Sequence, residues 1–172
     1  MTKVLLISNW DQLLTPSSGE WELQLPALKG LHSELKIDLT KPHTTLFIKG
    51  LYPNLNSTQK LTIIVQLKAP ECSCNLHISS SILKQGNLNL NAQVIIEPQA
   101  THSQARANLF CLLLHPKAQA FTSPSIKASN PSSQTSHSSI IKHLQPSDLW
   151  YWQSRGLSPR QAKQLLAGCI FT

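Results

Sequence analysis

The sequence is short of charge. Asp, Glu, Lys and Arg together make up 13% of its 172 residues, about half the share usual in soluble domains. Asn, Gln, Ser and Thr fill the polar positions instead, which suits strands and turns better than long solvated helices. Glycine is scarce, with 6 residues, and neither Asn-Gly nor Asp-Gly occurs, so tight two-residue hairpins are weakly signalled. Long apolar runs are missing: Val4-Leu5-Leu6-Ile7 near the N-terminus gives way at once to polar residues, too short for a membrane span or a signal-peptide core. The cysteines, Cys72, Cys74, Cys111 and Cys169, form neither a disulfide framework nor a Cys-x-x-Cys zinc spacing. A reducing, cytoplasmic setting is the expectation.

Catalytic motifs are missing as well. There is no Gly-x-Ser-x-Gly elbow and no Gly-x-x-x-x-Gly-Lys phosphate loop, and only 8 acids are available to orient a base. Ser136-His137 makes no dyad, because neighbours on a strand point to opposite faces. The chain is therefore expected not to be an enzyme.

What is present is alternation with a period of two. Leu35, Ile37 and Leu39 alternate with polar residues, and so do Ile63, Val65 and Leu67. Cys72, Cys74, Leu76 and Ile78 follow, and Leu88, Leu90, Ala92, Val94 and Ile96 form the longest strict run. Leu112 with Leu114, Ala118 with Ala120, and Ile126 with Ala128 continue the pattern. Short strands recurring at this spacing predict a sandwich, a barrel or a β-solenoid. The rarity of hairpin turns and the wealth of stackable amides favour the solenoid, while periodicity alone fits an antiparallel sandwich nearly as well. The Ser-, Pro- and Asn-rich residues 123–139 read as further polar strand rather than linker.

Near the C-terminus the period becomes helical. Ser147 is expected to cap a helix bearing Leu149, Trp150 and Trp152 that Gly156 ends. Ser158-Pro159-Arg160-Gln161 predicts a second helix through a capping box, with Ala162, Leu165 and Leu166 as its apolar face and Gly168 as its stop. The expected division is a β-domain over residues 1–144 and a helical segment over residues 145–172. From Pro98 onward a single acid, Asp148, stands against Arg106, Lys117, Lys127, Lys142, Arg155, Arg160 and Lys163. This excess suits an acidic partner. The bases are scattered singly without aromatic interleaving, so no nucleic-acid footprint is expected.

Two stretches carry a family resemblance. Ser136-His137-Ser138-Ser139-Ile140, then Leu149-Trp150-Tyr151-Trp152-Gln153-Ser154-Arg155-Gly156-Leu157-Ser158, resembles the C-terminal pattern of the SufB/SufD family of iron–sulfur cluster assembly. Upstream, Asn108-Leu109-Phe110-Cys111-Leu112-Leu113-Leu114, Ala118 and Thr122-Ser123-Pro124-Ser125-Ile126 is similar to that family's central stretch. The likeness is sharp from Ala105 to Leu166 and fainter back to Leu61. This chain departs from the pattern at Pro131-Ser132, where members often carry an acidic pair, and at Ser138, usually glycine. Leu67-Lys68-Ala69-Pro70 lacks the histidine that often precedes Ala-Pro, and the large N-terminal helical region of many members has no room here.

The resemblance implies an all-β fold, a right-handed parallel β-helix (β-solenoid) with two short C-terminal α-helices. It implies a non-catalytic, SufD-like scaffold subunit that pairs with a SufB-like subunit, while its C-terminal helices engage a SufC-like ABC ATPase. A homodimer is a further option, and no membrane partner is implied. His137 matches the interfacial histidine of SufD-type members and is the candidate metal ligand. One imidazole cannot hold a cluster that needs several thiolates, so the iron–sulfur cluster would be transient and shared with a partner subunit. Partner contacts are expected at Trp150, Trp152, Arg155, Leu165 and Leu166. Cys72 and Cys74 are expected to be small core residues rather than ligands, Cys111 likewise, and Cys169 to be exposed. The alternatives of another class are a β-solenoid structural or adhesion protein and a basic nucleic-acid-binding module.

Overall fold

The computed structural model describes residues 2–6, 10–28, 31–83 and 85–169. Among these residues eleven strands alternate between two sheets, and every pairing among them is parallel. One sheet, A, runs in the order β1(Lys3–Leu6), β3(Gly19–Gln24), β5(Thr44–Leu55), β7(Ser73–Ile82), β9(Gln104–Leu113) and β11(Gln134–His143). The other, B, contains β2(Gln12–Leu14), β4(His32–Leu39), β6(Thr58–Leu67), β8(Asn87–Ile96) and β10(Gln119–Ala128). Each turn of chain contributes one strand to each sheet and stacks on the turn before. This is the expected β-solenoid, and residues 123–139 lie across β10 and β11.

Parallel stacking turns the period-two alternation into rows. In sheet B, Leu35, Ile63 and Ala92 lie in register and buried, as do Ile37, Val65 and Val94. In sheet A, Leu23, Ile48, Leu76 and Ala107 form a matching buried row. Each fully buried Leu or Ile contributes about 1.5–3 kcal/mol relative to an exposed one. The outer face takes most of the alternating polar residues, so that Asn89 and Asn91 of β8 lie beside Lys60 and Thr62 of β6. A second, smaller cluster sits on the outer face of sheet A, where Leu112 and Leu114 pack with Leu83, Phe110 and Leu144.

One corner needs its glycine. A Cβ on Gly86, between β7 and β8, would stand 2.8 Å from both the Leu55 carbonyl oxygen and Ile82 Cγ2, closer than side chains pack.

After β11 the chain forms α1(Pro146–Ser154) and α2(Pro159–Cys169). The cap of α1 is Gln145, not Ser147: its backbone N–H donates to the Asp148 carboxylate at 2.9 Å, and Pro146 takes the first turn. Proline cannot donate an N–H and is pre-set for a helix start, so the helix begins there rather than two residues later. Gly156, at φ +86°, ends α1 as expected. The capping box of α2 forms as predicted: Ser158 N–H donates to Gln161 Oε1 at 2.9 Å, and Gln161 N–H to Ser158 Oγ at 3.3 Å. Gly168 does not stop α2, which continues to Cys169. No helix among the described residues is long and apolar enough to cross a membrane.

Candidate functional site

The solenoid has one long open end. β10 and β11 are the last strands of their sheets, each paired on one side only. At about 3.3 Å per residue, each leaves roughly 30 Å of strand edge unpaired. All ten residues of β11 are exposed, although they continue the register of the core. The row Leu23, Ile48, Leu76, Ala107 ends on His137. The row Ile78, Leu109 ends on Ser139, Ser80 and Cys111 on Ile141, and Ile82 and Leu113 on His143. Each row is buried up to β9 and exposed on β11, because no further turn among the described residues stacks upon it.

Across the interior, Thr122, Pro124 and Ile126 of β10 are half-buried, and the Thr122 and Ser139 hydroxyls hydrogen-bond to one another. Leu113, Ala118, Ala120, Phe121, Ile141 and His143 line a shallow groove of about 530 Å³ there. The end is partly apolar: Phe121 is 62% exposed and Ile141 42%. β10 carries Pro124 in mid-strand, a device that blunts an edge, whereas β11 has no proline.

The structure places His137 in the inward-facing column of this end, with its ring in no hydrogen bond or ion pair among the described residues. Ser138, in place of the family's usual glycine, points the other way and donates from its hydroxyl to Asn108 Oδ1 at 2.8 Å. Its extra bulk therefore does not crowd His137. Ser132, at one of the missing acidic positions, sits in the corner before β11 and accepts the His102 N–H at 2.8 Å. Among the described residues no three His, Cys, Asp or Glu side chains surround a common point. His137 is thus a single donor, without companions among the described residues.

The thiols are not those companions. Cys74 is wholly buried in sheet A, and desolvation pushes its thiol up to about 12. Cys72 lies in the corner just before β7, not on the strand with Cys74, and its thiol donates to the Lys41 carbonyl at 3.3 Å. Burial raises its pKa, opposed by backbone hydrogen bonds at Thr44 and Ala69. Burial also raises Cys111, against a 2.9 Å hydrogen bond from the Ser80 hydroxyl. All three are protonated core residues at neutral pH, as expected. The exposure expected of Cys169 concerns a side chain outside the described residues.

The helices beside the open end present aromatics. No residue of α1 is buried: Trp150 is 67% exposed and Trp152 half-buried. Trp152 meets Tyr151 edge-on with ring centroids 5.2 Å apart, and the Arg155 guanidinium lies 5.2 Å from the Tyr151 ring centre. Tyr151 was not singled out in the sequence, although it sits in the same Trp-Tyr-Trp triplet. In α2, Ala162 is fully buried, Leu166 half-buried and Leu165 exposed. α2 touches α1 and β5, and Asp148 of α1 pairs with Lys142 of β11 at 3.2 Å. Trp150, Trp152, Arg155, Leu165 and Leu166 therefore fall on one short helical pair, and His137 lies apart from them on β11.

A parallel β-solenoid with one uncapped end and a helical pair after its last strand defines the structural class. The sequence model of the SUF system FeS cluster assembly SufBD core domain matches residues 28–168. The chain belongs to that SufB/SufD core family, whose members are components of iron–sulfur cluster assembly. No curated protein matches it.

Proposed function

We propose that this chain is a SufD-like scaffold subunit whose open solenoid end is completed by a SufB-like subunit. The observation that carries the reading is β11, a ten-residue strand in register with the core and yet exposed along its whole length. An edge of that length is a template for strand addition. A second subunit docking there would bury Ile141, Phe121 and the groove between them, and would bring its own side chains against His137. The thiolates or carboxylates of a nascent cluster's ligand set would come from that partner, with His137 as this chain's contribution.

Charge supports a heterologous partner over a second copy. Neither β10 nor β11 carries an acid, Lys127 has no ion-pair partner among the described residues, and Lys142 is matched by Asp148 at 3.2 Å. Two such ends would oppose like charges, whereas an acid-bearing end strand would be drawn in. The exposed Trp150 with Trp152, Arg155, Leu165 and Leu166 forms the proposed dock for a SufC-like ABC ATPase, since large aromatics are the usual anchors of interfaces. The cluster passes through as cargo, and the location is the cytoplasm.

Copurification tests the reading. The tagged chain is expected to bring down a SufB-like protein and an ABC ATPase. Ile141→Glu should lose the SufB-like protein while the chain keeps its fold. A surface polymer or nucleic acid in their place would replace this reading with one of the alternatives.

A further inference from the structure

The corner that leads from sheet B into sheet A repeats from turn to turn, one or two residues before the sheet A strand. Successive turns place His43, Glu71 and His102 there, in register one above the next. All three have left-handed backbone, with φ of 54°, 55° and 54°. Their N–H groups hold the column together: His43 N–H donates to the Pro70 carbonyl at 3.4 Å and Glu71 N–H to the Thr101 carbonyl at 2.8 Å. His102 N–H donates to Ser132 Oγ at 2.8 Å.

Glycine takes this conformation at least cost, and Asn, Asp and His enter it more readily than other residues, so Glu71 is the one most out of type. Asn54 and Asp11 do so elsewhere in this chain. Here two histidines and a glutamate hold the strained position on three consecutive turns, with exposed side chains. Strain kept at a non-glycine residue is a pointer to function. The residue types also form a chemically coherent set.

His43 Nδ1 already stands 2.9 Å from Glu71 Oε2, a separation suited to two ligands of one ion. The His102 ring, one turn along on the other side of Glu71, makes no hydrogen bond or ion pair among the described residues. The three side chains stand in file and do not converge as they are. Turns about 4.8 Å apart put both imidazoles within reach of a point above the central carboxylate by side-chain rotation alone. Two imidazoles and one carboxylate are a ligand set for a divalent first-row transition metal, with water in the remaining positions.

We propose that His43, Glu71 and His102 form a surface site for such a cation. The site is separate from His137 and independent of the proposed scaffold role, because it uses the corner column rather than the open end.

The test is titration of the full chain with Zn²⁺ by calorimetry and with Co²⁺ by visible absorption near neutral pH. One equivalent is expected to bind, and His43→Asn, Glu71→Gln and His102→Asn should each weaken it about tenfold or more, at least the loss seen for outer-shell changes. Asparagine suits left-handed backbone, so both histidine variants keep the corner, as unchanged circular dichroism would confirm. The variant at His102 decides the matter. If it binds as tightly as the parent chain, the corner holds an ion pair between His43 and Glu71 and no metal site. Absence of binding, or binding lost only on His137→Ala or His32→Ala, overturns the proposal equally.

Discussion

His137 lies in register with Ala107, one strand further along the same inner row. Ala107 is fully buried and His137 is exposed. That single step takes the row from packed core to open surface, because β11 is the last strand of its sheet. The ring is presented from a rigid, hydrogen-bonded strand, over a small alanine that leaves it room. Preorganisation of this kind is what a shared ligand site requires of a scaffold.

On the proposed reading, replacing His137 removes chemistry and not structure. His137→Ala is expected to shift stability by less than about 0.5 kcal/mol, as for other exposed positions, and to leave complex formation intact. Iron and sulfide recovered with the complex should fall several-fold. His143→Ala, in the same inward column about 20 Å along the strand, should leave both unchanged. Equal iron in parent and His137→Ala complexes would make this chain purely architectural.

Removing residues after Leu144 separates the helical pair from the solenoid. Leu144, which packs with Leu112 and Leu114, is retained, so the strand spectrum by circular dichroism is expected to persist. ATPase copurification should be lost. A finer variant, Trp150→Ala, alters a residue that is 67% exposed and should leave the thermal midpoint nearly unchanged, while weakening ATPase retention by about tenfold or more if it is an anchor. Retention by the truncated chain would move the dock elsewhere.

Leu76 sits in the middle of the Leu23, Ile48, Leu76, Ala107 row and is 1% exposed. Leu76→Ala is expected to cost about 2–5 kcal/mol in denaturant unfolding, the transfer of the side chain plus the cavity left behind. A loss near zero would mean that the row is not packed as described.

Alkali should destabilise the fold through its buried thiols. Cys74 titrates near 9.0 when solvated and is pushed up to about 12 by burial, and burial raises Cys72 and Cys111 in the same direction. Above the unfolded value the unfolded chain releases these protons first. Stability present below about pH 9 is then lost progressively as pH approaches 12. Tyr52 adds to the loss at the upper end, since burial raises its phenol too. Cys74→Ala should flatten the pH dependence of the urea midpoint over that window. In the native parent chain, Cys74 should resist alkylation at pH 8.

Much of this architecture was written locally. The alternation of Leu88 to Ile96 marks a strand with one buried face wherever that strand lies. The Ser158 and Gln161 pair marks a helix start through contacts three residues apart. The first helix was legible in kind but its cap was misplaced by two residues, because Pro146 competes with Ser147 for the start and wins through its fixed φ. The core role of Cys72 and Cys74 was legible from their apolar company, although Cys72 proves to lie in a corner and not on the strand.

Tertiary structure alone decided which strand would be left uncovered. Ser139, Ile141 and His143 alternate on β11 as Leu109, Cys111 and Leu113 do on β9. The first set is exposed and the second buried because another turn stacks on β9 and none on β11. The same holds for His43, Glu71 and His102, which are distant in the chain and neighbours in the fold. Parallel register depends on corner lengths and on hydrogen bonds between turns, and both act between residues that local sequence cannot bring together.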